Sequence, residues 1–158
     1  MVLHNSMAKK SVQTHVSSLE DTLNEYFGKK APQLPIGAKE AIVKFAPWVT
    51  LVLLVLGLPA VFLLFGLGAL LTPFSYVVGG VHFGLSYTLS LIILAATLVL
   101  EALAIPLLMK RSKKGWNFIF YASLLGVVSN IVSFNLGSLI IGALISFYIL
   151  FQIRSYYK

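Results

Sequence analysis

Glu101 is the residue best suited to chemistry, because it is the one acidic side chain inside a long apolar stretch of the sequence. It lies about 13 Å before Lys110 along a helix axis, at ~1.5 Å per residue. Ionisable groups at such a depth in a membrane are costly and mark ion, proton or substrate sites by default. If Glu101 is buried at this depth, it is a candidate proton or cation site, which is one of two interpretations of this residue. In the alternative, the segment EALAIPLLMKR extends into the headgroup region, Pro106 bends it, and Glu101 is interfacial.

Three further polar side chains are the candidate partners of Glu101. Ser123 and Tyr148 are expected at a comparable depth in neighbouring helices, while Asn130 belongs to the outer half of its helix. Asn130 fits a hydrogen bond between helices better than contact with a ligand. The candidate intramembrane polar site thus comprises Glu101, Asn130, Ser123 and Tyr148.

Catalytic and metal-ligating patterns are missing from the sequence. It has no cysteine, five acidic residues and three histidines, and it contains no HExxH, GxSxG or phosphate-binding loop. His82 has no second ligand at metal spacing and is interpreted as an interfacial histidine. We therefore expect no enzyme, no metal site and no cofactor.

The elements that position these residues must lie in lipid. Apolar residues make up 58% of the chain and charged residues 11%, and the mean hydropathy is +0.91. A water-exposed surface cannot be assembled from so few charges. The net charge of +7 does not indicate nucleic-acid binding, because the cations cluster beside apolar segments; the expected partners are the bilayer and anionic headgroups.

Two parts of the chain are predicted. Residues 1–45 form a cytoplasmic segment, frayed up to Thr14, with an amphipathic helix over residues 16–27 that Ser17 and Glu20 cap and Gly28 ends. Residues 46–158 form a transmembrane domain. The predicted spans are residues 46–71 (kinked at Pro59), 82–109, 116–134 and 138–152, with connections at 72–81, 110–115 and 135–137.

The distribution of cations predicts the orientation. All twelve Lys and Arg residues lie in residues 9–44, 110–114 or 154–158, and the other two connections have none. Because basic loops stay in the cytoplasm, both termini are expected there. Trp48, Trp116 and Tyr157 are interpreted as markers of the inner interface. The predicted fold is an all-α integral protein of the cell membrane, with four transmembrane helices in two antiparallel hairpins.

Small residues predict how the last two helices pack. Ser138, Gly142 and Ser146 recur every four residues, and Gly126 lies on a similar face of the preceding helix. Such faces let membrane helices approach closely. We expect the two faces to meet as an antiparallel pair, with a homo-oligomer interface as the alternative.

The stretches APWVTLVL, KKGWNFIFYASLLGVVS and FYILFQIRSYYK resemble a family of small four-span bacterial membrane proteins of unknown function. The resemblance covers roughly residues 30–158 and implies the same topology. Some members are described as chromate transporters, but genuine chromate transporters are much longer and have intramembrane motifs that this chain lacks.

Two functions are compatible with these features. The first is a non-enzymatic membrane protein, such as a scaffold, assembly factor or envelope component, whose N-terminal helix docks a partner or the inner leaflet. The alternative is a small oligomeric transporter or channel in which Glu101 couples a proton to a cationic or hydrophobic substrate.

Overall fold

The computed structural model describes the backbone of residues 2–158, and its side chains apart from those of residues 2–12, 53, 60, 64, 69, 75, 82 and 83. The prediction for His82 therefore lies outside the described side chains. About 90% of the chain is helical, and residues 2–158 contain no strand, so the all-α prediction is confirmed. The elements are α1 (Val2–Leu23), a π-helical segment (Asn24–Lys30), α2 (Ile36–Met109), α3 (Lys113–Val132), α4 (Leu136–Gln152) and a 3₁₀ turn (Arg154–Tyr156).

The N-terminal helix is longer than the sequence pattern predicts. It begins at Val2, so the prediction of a frayed segment up to Thr14 and a start near Val16 is wrong. No glycine or proline interrupts this stretch. The hydroxyl of Ser17 donates to the carbonyl of Thr14 at 2.9 Å inside the helix instead of capping its start. The helix widens into the π-helical segment and ends at Lys30, beyond Gly28.

The long helix α2 is a hairpin that reverses at Gly80. Gly80 has φ +74° and ψ 176°, a backbone conformation that is essentially restricted to glycine. On either side the two arms contact each other antiparallel: Tyr76 lies against Gly84, and Gly68 lies against Leu91. Residues 72–79, expected as a loop, are helical, and a single residue makes the reversal.

The other two connections are also tight. Arg111 and Phe134 have positive φ, and Asn135 caps α4 by accepting a hydrogen bond from the backbone N–H of Ser138 at 3.2 Å. The last turn of the chain joins the basic loop, because the N–H of Lys113 donates to the carbonyl of Lys158 at 2.7 Å. The end of the bundle that carries residues 110–114 and 154–158 is called the basic end below.

The buried core lies at the basic end. Trp116 is its centre: its indole N–H donates to the carbonyl of Leu150 at 2.9 Å, and its ring stacks on Phe120 at a centroid distance of 5.5 Å. Trp116 is 0% exposed and therefore faces the protein core, while Trp48 is 56% exposed. The core comprises Val43, Ala104, Leu108, Trp116, Phe120, Phe147, Leu150, Phe151, Ile153 and Tyr157.

Among the residues that the structure describes, three helical segments are long and apolar enough to cross a membrane, namely Ile36–Pro59, Gly84–Met109 and Lys113–Val132. Helix α4 is apolar but shorter, at 17 residues. None of the large apolar side chains described in residues 60–97 and 126–145 is buried. We call these two ranges the far half of the bundle.

Candidate functional site

A cavity of about 270 Å³ lies between the second arm of α2, α3 and α4. Its wall is formed by these three helices. It includes three of the four predicted polar residues, namely Glu101, Ser123 and Asn130. Its polar and small lining residues are Thr97, Glu101, Ser123, Gly126, Asn130, Gly142 and Ser146. We call it the Glu101 cavity.

Glu101 has no compensating charge at this site. Its side chain is half-buried, and within the described part of the chain the ion pairs are made by other residues: Glu25 with Lys30, and Glu20 with Lys113 and Arg154. No hydrogen-bond donor among the described side chains reaches the Glu101 carboxylate. Because a carboxyl group among apolar helices is strongly favoured to find a positive or proton-donating partner, the cavity is suited to supply one from outside the chain.

The other polar groups of the cavity offer oxygen lone pairs. Ser123 donates its hydroxyl to the carbonyl of Ile119 at 2.9 Å, and Thr97 donates to Ile93 at 2.8 Å. Asn130 donates its amide to the carbonyl of Gly126 at 2.9 Å. These hydrogen bonds use the hydroxyl protons of Ser123 and Thr97 and one N–H of the Asn130 amide. The hydroxyl and amide oxygens remain as acceptors, and the second N–H of Asn130 remains as a donor. Together with Glu101, these oxygens favour a ligand that donates hydrogen bonds or carries positive charge.

The small residues line the cavity instead of forming a close contact. A Cβ added at Gly126 or at Gly142 would meet no atom within 4 Å. Ser146 lines the same space, whereas Ser138 is exposed at the start of α4. The expected close packing of the two small faces is therefore wrong at these glycines, because the missing side chains leave open volume between the helices.

Tyr148 does not join the other predicted polar residues. Its hydroxyl donates to the carbonyl of Pro32 at 2.7 Å. Tyr148 therefore points to residues 31–35, the N-terminal linker between the π-helical segment and α2. Sequence reasoning placed it by depth along α4 but had no information on which way that face of the helix points. It missed Thr97, although Thr97 lies one helical turn before Glu101 and so on the same face.

Some titratable groups outside the membrane-spanning segments have shifted pKa values. The hydrogen bond and the charge of Lys30, whose Nζ lies 2.7 Å from Oε1 of Glu25, lower the pKa of Glu25. Burial raises the pKa of Tyr157. Both lie at the basic end, away from the Glu101 cavity.

No group of three or more His, Cys, Asp or Glu residues that could hold a metal ion occurs among the residues described. The described lining of the Glu101 cavity has one carboxylate, and its other polar side chains are neutral hydroxyl and amide groups. In comparisons with known proteins, no family model, curated protein or solved structure matches this chain.

Proposed function

We propose that this chain is a four-span protein of the cell membrane that binds a monovalent cation or proton at Glu101, as a small transporter or channel. The observation that carries the proposal is the carboxylate of Glu101, which has no partner among the described residues and lies in a cavity whose other described polar groups are neutral. A single negative charge is balanced by a single positive one, so one carboxylate favours a proton, an alkali ion or an organic ammonium group.

The proposed topology has two helical hairpins with both termini and the basic loop in the cytoplasm. The hairpin of α2 supports two spans, and α3 with α4 supplies the others. At ~1.5 Å per residue, α4 reaches about 26 Å, close to the hydrocarbon thickness of ~30 Å when it stands upright. Lysine and arginine side chains converge on the basic end, which supports its placement on the cytoplasmic side.

A carboxyl substitution tests the proposed function. Glu101→Gln removes the charge with little change in volume, and Glu40→Gln is the matched control because Glu40 is exposed near the start of α2. Each protein is reconstituted in liposomes with an internal pH dye, and inward gradients of Na⁺, K⁺ or ethidium are imposed in turn.

For at least one of these cations, wild type and Glu40→Gln should release protons faster than empty liposomes do. Glu101→Gln should lose about tenfold of that rate or more, since Glu101 supplies the only charged acceptor among the described lining residues of the cavity. Equal rates for wild type and Glu101→Gln, or wild-type rates equal to those of empty liposomes, would contradict the proposal.

A scaffold or assembly role is the second candidate, and a different observation favours it. The N-terminal segment docks at the basic end, where Glu20 pairs with Lys113 and Arg154, while residues 17–19 of α1 are exposed. This arrangement presents a polar helix surface beside the membrane. Wild type that carries no cation in the liposome assay would favour this role.

A further inference from the structure

The three basic segments of the sequence are far apart along the chain but meet at one place. Lys158 accepts a hydrogen bond from the N–H of Lys113 at 2.7 Å and donates its own N–H to Arg111 at 3.0 Å. This pairing joins the C-terminal tail to the loop between α2 and α3. The charges of both segments are therefore concentrated at one site.

Gln152 brings the third segment to the same place. Its side-chain amide donates to the carbonyl of Phe27 at 2.8 Å, and its carbonyl oxygen accepts the N–H of Leu34 at 3.2 Å. Gln152 is 2% exposed, so these bonds are shielded from water. They fix residues 27–34, which lie between Lys29 in the π-helical segment and Lys39 in α2, against the end of α4.

A second cavity, of about 480 Å³, lies between these three segments. Its charged lining residues are Lys29, Lys39, Lys113 and Arg154, and no aspartate or glutamate occurs among its described lining residues. We call it the basic cavity. It shares no described lining residue with the Glu101 cavity.

The charges of the basic cavity are only partly compensated. Glu20 accepts hydrogen bonds from Lys113 at 3.4 Å and from Arg154 Nε at 3.1 Å. Lys39 donates to a neutral acceptor, the side-chain carbonyl of Gln33, at 2.7 Å. Four cations lining the cavity against the one carboxylate of Glu20 leave an excess of three positive charges.

We propose that the basic cavity binds a phosphate group. Clustered ammonium and guanidinium groups form charge-assisted hydrogen bonds to phosphate oxygens. The cavity lies where the apolar helices α2 and α4 end, which is the depth of lipid headgroups if these helices span the membrane. The phosphate can belong to an anionic lipid headgroup or to a soluble phosphate compound, and the two sources are distinguished below.

Trp116 provides a local reporter of this site. Its ring lies 4.0 Å from Nζ of Lys113 and 5.5 Å from the guanidinium carbon of Arg154. Since both cations line the basic cavity, a bound anion should change the fluorescence of Trp116. A Trp48→Phe background leaves Trp116 as the remaining tryptophan, because the chain has two.

The experiment titrates this protein, in a non-ionic detergent, with dioctanoyl phosphatidic acid, inorganic phosphate or dioctanoyl phosphatidylcholine. The test variant is Lys29→Gln with Lys39→Gln. The control is Lys110→Gln with Lys114→Gln, which removes the same charge from exposed positions of the basic loop that do not line the cavity. The melting temperature of each variant verifies that it is folded.

Saturable binding of phosphatidic acid, weakened about tenfold or more in the test variant and unchanged within about twofold in the control, supports the proposal. Stronger binding of phosphatidic acid than of inorganic phosphate assigns the site to a lipid, and equal binding assigns it to a soluble phosphate compound. No saturable response to either, equal weakening in both variants, or an equal response to phosphatidylcholine overturns it. This test measures binding and does not depend on transport through the Glu101 cavity.

Discussion

The basic end and the far half of the bundle differ in how their helices pack. At the basic end, the aromatic rings of Trp116, Phe120 and Phe151 are in mutual contact and fully or almost fully buried. In the far half, large apolar side chains such as Val77 are exposed. Exposed apolar surface on this scale requires lipid or protein as its surroundings. The comparison indicates that packing between side chains holds the basic end together, while the far half depends on lipid or protein surroundings.

The two glycines of α3 show the same difference within one helix. At Gly115, a Cβ would lie 2.8 Å from backbone atoms of Leu107 and Leu108, whereas at Gly126 it would meet no atom within 4 Å. The first glycine permits close approach of two helices. The second leaves the volume in which the Glu101 cavity forms. Stability and the candidate site are thus separated along the same helix.

The largest expected effect comes from removing the centre of the core. Trp116→Ala leaves a cavity among aromatic rings and should lower the free energy of unfolding by about 3–5 kcal/mol. The control Trp48→Ala should lower it by about 1 kcal/mol or less, since Trp48 is exposed. Denaturant titration in detergent, followed by circular dichroism, measures both. Equal losses would contradict the difference between the two regions.

The pair Gly115→Ala and Gly126→Ala tests the comparison within α3. Gly115→Ala should destabilise the protein by about 1–3 kcal/mol, because the backbone of α2 must move away. Gly126→Ala should be neutral or stabilising by up to about 1 kcal/mol, since alanine favours helix and has room. The same denaturant titration compares them. A larger loss for Gly126→Ala would show that the far half is tightly packed.

Gln152→Ala should release the N-terminal linker from the basic end. Losing its buried hydrogen bonds should cost about 1–2 kcal/mol. The local readout is hydrogen exchange at the amide of Leu34, which donates to Gln152 and should exchange faster. Gln13→Ala, at an exposed position, is the control. Unchanged exchange at Leu34 would mean that other contacts hold the linker.

The smallest effect is expected at Tyr157. Its hydroxyl is buried and finds no hydrogen-bond partner among the described residues, so Tyr157→Phe should stabilise the protein by up to about 1 kcal/mol.

Tyr157 also gives a pH dependence. Burial raises the pKa of Tyr157 above its usual value of 10.0, so the folded state holds this proton more tightly than the unfolded state does. The contribution of this proton to the free energy of unfolding is fully present below pH 10.0. It is lost as the pH rises through the pKa of Tyr157 in the folded state. Melting temperatures measured across this range should fall less steeply for Tyr157→Phe than for wild type. Parallel curves would show that Tyr157 does not titrate in this way.

The sequence predicted much of the helical organisation because a long apolar run satisfies its own backbone hydrogen bonds in lipid when it forms a helix. It also named Glu101, Ser123 and Asn130 as polar candidates, and the structure places all three along one cavity, although only Ser123 and Tyr148 were expected at the depth of Glu101. The sequence predicted a connection over residues 72–81, whereas the structure reverses at Gly80 alone. A helix can continue through a neutral polar segment until a residue with positive φ ends it.

The residues that sequence reasoning misjudged depend on the direction of helix faces. Tyr148 turns towards Pro32, and Trp116 turns into the core, where its indole N–H donates to the carbonyl of Leu150. The meeting of Lys29, Lys39, Lys113 and Arg154 depends on tertiary hydrogen bonds, above all those of Gln152. Local pattern carries no information on such contacts.

Cysteine labelling tests the central claim, that the far half crosses the membrane and the basic end faces the cytoplasm. The chain has no cysteine, so single substitutions are labelled without background. Lys114→Cys lies in the basic loop, and Gly137→Cys lies at the opposite connection, where a Cβ has open space. In intact cells, a membrane-impermeant maleimide should label Gly137→Cys and reach Lys114→Cys only after permeabilisation. Labelling of both positions, or of Lys114→Cys alone, in intact cells would contradict the account.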